Sequence, residues 1–250
     1  MSAQHAGGDR RVLRAVIFDL DGVLVTTDHF HYRGWKRLTE ELGMHFSPQD
    51  NHLLRGVSRA ESLKIIYRIN DRPLPDDEEF TQQMTRKNGY YVEFISQMTP
   101  RDVLPGSVEL LDSLREEGIA RAIASSSRNA GLVLERTGLA AYMEAVSDGN
   151  SIAASKPDPE VFLRGAALLG IPPWNCVGVE DAAAGVASIR RAGMVSLGVG
   201  EQAREADAVV GGIAEVTLAM LRELFEANAP GVNEQAETLW SGYRDEMSGT

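Results

Sequence analysis

From Pro105 onward, short β-prone apolar runs alternate with amphipathic helical stretches, and this alternation constrains the fold more than any other feature. A helix over about Ser107 to Glu117, with Val108, Leu111 and Leu114 inward, is closed by Gly118. A strand over Ile119 to Ala124 follows, then a helix to about Thr137 and a short strand near Ala145-Val146. Asp158-Pro159 opens another helix with an N-cap carboxylate and a first-turn proline, and Gly170 ends it. Asn175 to Val179, a helix to Ala192-Gly193, Met194 to Val199 and Ala208 to Val210 complete the series. Repeated βα units predict an α/β, doubly wound (Rossmann-like) parallel sheet with helices on both faces.

A first strand lies far upstream. The apolar run Val12, Leu13, Ala15, Val16, Ile17, Phe18 breaks into Asp19-Leu20-Asp21-Gly22. Alternation along a strand sends Asp19 and Asp21 to one side and Leu20 to the other. After Leu24 the spacing becomes helical: Phe30, Trp35, Leu38 and Leu42 before Gly43, then Ile65, Ile66 and Ile69, then Tyr90, Tyr91, Phe94 and Ile95. The expected organisation is an α/β core over 12–27 and 100–227, interrupted by an inserted α-helical cap over 28–99. The tails, 1–11 and 228–250, are expected to be flexible or weakly ordered, a short helix staying open for the second.

The 250 residues carry a formal charge of −11, with 43% apolar and 24% charged residues. That range is globular, and an acidic chain without basic blocks argues against nucleic acid or an anionic membrane as partner. The single cysteine, Cys176, has no internal disulfide partner and is expected to be a small buried apolar side chain. No apolar run reaches membrane length, and the Gly-rich polar start lacks a secretory segment. The cytoplasm is the expected location.

Four predicted strand ends carry polar residues: Asp19/Asp21, Ser125, Lys156 in its loop, and Glu180/Asp181. In an open α/β sheet such groups converge on the crevice at the carboxyl ends of the strands. Singly, each has an ordinary use: Ser125 as a helix N-cap, Lys156 as a loop cation, Glu180-Asp181 as dipole complementation. Jointly they supply paired carboxylates, hydroxyl and ammonium donors able to meet a phosphoryl group, and hard oxygens suited to Mg²⁺.

In this order the four groups resemble the signatures of the haloacid-dehalogenase-like phosphotransferases. The resemblance implies Asp19 as nucleophile and Asp21 as general acid/base, with Ser125 and Lys156 on the phosphoryl group. It also implies Mg²⁺ at Asp19, Asp21, Glu180 and Asp181. Asp21 separates the chain from dehalogenases, which lack the second Asp.

The insertion is similar to the cap of the β-phosphoglucomutases. The strings are His31-x-x-x-Trp35-Lys36, Arg55-Gly56-Val57-Ser58-Arg59-x-x-Ser62-Leu63, Arg86-Lys87-Asn88-x-x-Tyr91, Leu104-Pro105-Gly106, Ala124-Ser125-Ser126-Ser127-Arg128-Asn129, Ala153-Ala154-Ser155-Lys156-Pro157 and Gly178-Val179-Glu180-Asp181. This likeness implies interconversion of β-D-glucose 1-phosphate and glucose 6-phosphate through an aspartyl-phosphate and β-glucose 1,6-bisphosphate, the bisphosphate serving as activator and intermediate. A non-reacting phosphate would then need its own clamp, assigned to Arg59 with Ser127, Arg128 and Asn129. Trp35, Gly56, Val57, Ser58, Ser62, Lys87 and Ser126 would line the sugar site, and His31 would position Asp21 or follow its proton. Two departures stand out: Thr26 where an Asp is expected, and Arg128 where a Lys is expected. A sugar-phosphate phosphatase on the same scaffold is the alternative, and a non-catalytic sugar-phosphate sensor a third reading. The expected partners are small sugar phosphates, and the expected state is a monomer.

Overall fold

The computed structural model describes residues 11–54, 57–229, 231 and 233–248. The first strand, β1 (Ala15–Phe18), leads into helices α1 (Asp28–Glu41), α2 (Pro48–Asn51), α3 (Arg59–Ile69) and α4 (Asp77–Ile95). The chain then alternates through α5 (Ser107–Glu116), β2 (Ala120–Ala124), α6 (Ala130–Thr137), β3 (Ala145–Ser147), α7 (Glu160–Leu168), β4 (Cys176–Glu180), α8 (Ala183–Arg191), β5 (Val195–Val199) and β6 (Ala208–Val210). Two helices close it, α9 (Leu218–Asn228) and α10 (Glu234–Ser248).

All strand pairings are parallel, in the order β3-β2-β1-β4-β5-β6. Strand order therefore reverses between β1 and β4, which puts a crevice beyond their carboxyl ends. Both faces of the sheet are covered, so its central strands are buried along their whole length. Val16, Phe18, Ile123, Val177, Val179 and Leu197 pack with Leu111 and Leu114 of α5, Leu134 of α6 and Leu221 of α9. On the other face the sheet side chains are small: Ala15, Ala122, Ala124 and Cys176 meet Phe162 and Ala166 of α7 and Ile189 of α8. Cys176 is buried, and its thiol donates to the Pro172 carbonyl.

The helical insert has its own apolar cluster of Trp35, Leu38, Phe46, Leu54, Leu63, Ile66 and Tyr67. Tyr91, Phe94 and Ile95 at the end of α4 join the core cluster instead, which ties insert to sheet. No helix among the described residues is long and apolar enough to cross a membrane.

Three expectations need correction. The stretch 234–248 is not weakly ordered: it forms α10, with Ala236 and Trp240 buried in the core and Trp240 edge-on to Trp174. Ser125 does not cap α6, whose N-cap is Asn129. Asp158 is displaced from the N-cap of α7 by Pro159, although its carboxylate still accepts from the Glu160 N–H at 2.9 Å.

Candidate active site

Because β1 and β4 are neighbours at the reversal, the residues that follow them meet. Asp19, Glu180 and Asp181 bring carboxylate oxygens within 4.8 Å of one another. Their packing leaves little freedom. Gly22 takes φ +84°, and a Cβ there would fall 2.1 Å from the Asp181 carboxylate, so only glycine lets the chain pass under it. Glu180 accepts from the Ala182 N–H at 2.7 Å, which turns its other oxygen toward Lys156.

Lys156 reaches in from the loop after β3, with Nζ 2.5 Å from Asp19 and 2.8 Å from Glu180. Burial disfavours its charge, but the two carboxylates outweigh burial and hold its pKa above the usual lysine range. One ammonium does not balance this pocket. Burial, and then repulsion from Glu180 working against Lys156, pushes Asp19 up to about 7. Burial with repulsion from Glu180 and Asp19 pushes Asp181 up to about 8. Three hard oxygen donors that repel one another are what Mg²⁺ would relieve, so the residues present fit that ion.

Asp21 is the exception to the expected metal set. Its carboxylate lies outside the three-residue cluster and turns to Thr27, in the link between β1 and α1 that would serve as hinge to the insert. It accepts from the Thr27 N–H at 2.6 Å and, over a shorter contact, from the Thr27 hydroxyl. Burial raises its pKa and the Thr27 donors oppose the rise. Thr27, directly before α1, is thus the partner of Asp21, which the sequence reading did not anticipate.

Beyond β2, Ser125 is buried, and its Oγ accepts from the Ser127 N–H at 3.2 Å. The Ser127 hydroxyl does the same for Asn129, again at 3.2 Å. These turns hold a loop in which Ser126 and Arg128 are exposed and Ser127 and Asn129 half-buried.

The insert contributes a second polar group. Lys87 on α4 is 2% exposed, lies over Trp35 and Tyr91, and sits 2.8 Å from His31 Nδ1. Burial drives both Lys87 and His31 well below their usual ranges, reinforced by Arg59 at Lys87 and by Lys87 and then Arg59 at His31. A neutral imidazole accepts from Nζ at Nδ1 and carries its proton on Nε2. His31 stacks on Tyr91 at 4.0 Å. Its hydrogen bond is therefore to Lys87, while the bonds of Asp21 go to Thr27.

Arg59 begins α3, after Ser58 caps that helix by accepting from the Glu61 N–H. Its guanidinium donates to Asn88 at 2.8 Å, and Asn129 of the core donates to the same oxygen at 3.3 Å. Burial and then Arg128 lower the pKa of Arg59, so the two guanidiniums feel each other across the crevice. Among the described residues, no carboxylate makes an ion pair with Arg59, Lys87 or Arg128. Asn88 joins insert to core and was not anticipated as a site residue. Ser62 and Trp35 are buried in the insert, Val57 is exposed, and Gly56 lies outside the described residues.

A buried carboxylate, a metal-suited acidic cluster and a lysine meet at the reversal of a parallel sheet, a constellation suited to phosphoryl transfer. The family model for haloacid dehalogenase-like hydrolases matches residues 13–193, and the chain belongs to that family. It is 40% identical over 217 residues to a β-phosphoglucomutase of Bacillus subtilis, covering 86% of this chain and 96% of that protein. It is 29% identical over 223 residues to a phosphorylated carbohydrates phosphatase of Thermotoga maritima, covering 85% and 100%. The crystal structure of a β-phosphoglucomutase from Clostridium difficile superposes with a TM-score of 0.79 at 34% identity, covering 86% of this chain and 98% of that one.

Proposed function

We propose that the protein is a Mg²⁺-dependent β-phosphoglucomutase that interconverts β-D-glucose 1-phosphate and D-glucose 6-phosphate. The observation that carries the reading is the pair Arg59 and Arg128, brought to one rim by Asn88 and Asn129 and without carboxylate partners. A hydrolase needs to grip only the phosphate it cleaves. A mutase must also hold the phosphate that is not reacting, and a guanidinium fork matches that dianion.

In this reading Asp19 attacks the phosphorus of the bisphosphate, the P–O bond to the sugar breaks, and an aspartyl-phosphate forms. Asp21 gives its proton to the departing sugar oxygen. Glucose 6-phosphate then leaves and β-glucose 1-phosphate binds with its C6 hydroxyl toward Asp19; Asp21 takes that proton, the oxygen receives the phosphoryl group from Asp19, and the bisphosphate so formed turns over for the next cycle. Lys156 balances charge on Asp19 and the transferring oxygens, and the Ser125 hydroxyl donates to one of them. Asp19, Glu180 and Asp181 would hold Mg²⁺, which supplies charge neutralisation for the transferring group. Asp21 has to leave Thr27 to act, so movement at the hinge would couple closure of the crevice to the acid/base group.

The protein is incubated with Mg²⁺, β-glucose 1-phosphate and a trace of the 1,6-bisphosphate, with glucose 6-phosphate and free phosphate followed together. Glucose 6-phosphate without phosphate release, lost in both Asp19→Ala and Arg59→Ala, supports the mutase. Phosphate release that is indifferent to Arg59→Ala replaces it with the second reading, a sugar-phosphate phosphatase. The relationship to the Thermotoga phosphatase favours that alternative.

A further inference from the structure

Helix α10 lies beyond the residues the family model matches, yet it packs on α7, whose first residue holds the loop that delivers Lys156. Glu160, the first residue of α7, is 6% exposed, and its Oε2 accepts from the Ala153 and Ala154 N–H groups at 2.9 and 2.8 Å. Lys156 follows two residues later, so this carboxylate fixes the approach of the lysine to Asp19. The other oxygen of Glu160 accepts from Arg164 Nε at 3.0 Å, one helical turn along α7.

Arg164 is held from α10. Its guanidinium lies 4.8 Å from the Tyr243 ring centre and donates to Glu246 at 3.3 Å. Buried Trp240 and Ala236 anchor α10 on the same side of the sheet as α7. Anchored helix, arginine, carboxylate and loop amides thus form one continuous path to the lysine. Glu160 is costly to bury alone; the two amides and the arginine compensate it together, so loosening Arg164 loosens the amides.

The geometry points to Arg164, braced by α10, as a positioning residue that acts through Glu160 on the Lys156 loop and so sets the rate of phosphoryl transfer to Asp19. The inference rests on Asp19 and Lys156 in their family roles and not on the identity of the sugar. Acetyl phosphate is therefore the probe: it offers a phosphoryl group without a sugar, and its turnover to acetate and phosphate is measured with Mg²⁺ against an Asp19→Ala blank.

In the full-length chain, Arg164→Ala lowers turnover about tenfold, as small misplacements of a reacting group do, with KM within about twofold. Hydrogen exchange at the Ala153 and Ala154 amides accelerates while amides of β1 and β4 keep their protection. Arg164→Lys, which keeps the charge without the fork, recovers part of both. Tyr243→Ala, altered only on α10, moves both in the same direction by less. Unchanged turnover with unchanged exchange at Ala153 and Ala154 overturns the assignment. Exchange rising across the whole sheet also overturns it, because Arg164 would then serve general stability alone. Should Arg164→Ala fail to fold, Tyr243→Ala decides by the same two readouts.

Discussion

In the core pocket three clustered carboxylates, Asp19, Glu180 and Asp181, gather around one ammonium, Lys156. Along the facing rim and insert, two guanidiniums and an ammonium, Arg59, Arg128 and Lys87, are satisfied by neutral Asn88 and His31 or by solvent. Both arrangements are costly in isolation, since like charges collected at low dielectric oppose folding. The first is relieved by a small divalent cation and the second by a dianion. A bisphosphate bound with Mg²⁺ relieves both at once.

The largest effect should fall on the core side of this comparison. Asp19→Asn keeps the shape of the side chain and the Lys156 contact but removes the nucleophile. Phosphoryl transfer should drop by at least about a thousandfold, as for loss of other covalent nucleophiles. Residual activity of about a tenth would show that Asp19 only neutralises charge. On the rim, Arg59→Ala should weaken bisphosphate binding by about ten- to a hundredfold, the worth of a charge-assisted fork. Acetyl phosphate turnover, which uses only the core pocket, should stay near wild type. Equal losses on both substrates would dissolve the distinction between the pockets.

A smaller effect sharpens the electrostatics. Asp19 and Asp181 are raised from 3.8 to about 7 and about 8 by burial and then by neighbouring carboxylates, Glu180 foremost, with Lys156 opposing the rise at Asp19. The native state therefore binds their protons more tightly than the unfolded chain does. The metal-free protein accordingly has this contribution in full below about pH 4 and loses it as pH rises through 7 to 8. Mg²⁺ should reverse the trend, because it binds the ionised form and stabilises by mass action. The gain in Tm on adding Mg²⁺ should reach several degrees at pH 8 and shrink toward pH 5.5. A gain independent of pH would place the ion elsewhere.

What the sequence made legible was whatever sits in one short string. Asp19, Ser125, Lys156 and Glu180/Asp181 each end a strand or follow one, so short apolar runs followed by polar residues located them without knowledge of the sheet order. The inserted helices were legible from their 3.6-residue spacing. The direction of Asp21 was not, because it depends on which of two neighbours, the metal cluster or Thr27, offers the better donors. Asn88 was hidden for a similar reason: its partners Arg59 and Asn129 lie 29 and 41 residues away. Helix α10 stayed open against disorder because its buried face rests on little more than Ala236 and Trp240, and the Trp174 that Trp240 meets is supplied by a distant loop. Few apolar positions in a mostly polar stretch give weak periodicity even when one of them is a tryptophan.

Asn88 offers the smallest effect and the finest test of the comparison, because one oxygen serves both the insert and the core. Asn88→Ala removes the acceptor for Arg59 and Asn129, bonds worth about 1 kcal/mol in a half-exposed setting, so bisphosphate binding should weaken about three- to fivefold. Asn88→Asp keeps the acceptor and places a carboxylate between Arg59 and Asn129. If Asn88 is only a latch, the charged acceptor binds Arg59 more strongly, holds the crevice closed, and the variant equals or exceeds wild type. If the rim is built for a dianion, the new carboxylate occupies the guanidinium and repels the incoming phosphate. Asn88→Asp should then bind the bisphosphate more weakly than Asn88→Ala, and raising the salt concentration should narrow the gap as the repulsion is screened. The order of these two variants thus reports on the charge the rim was built to receive.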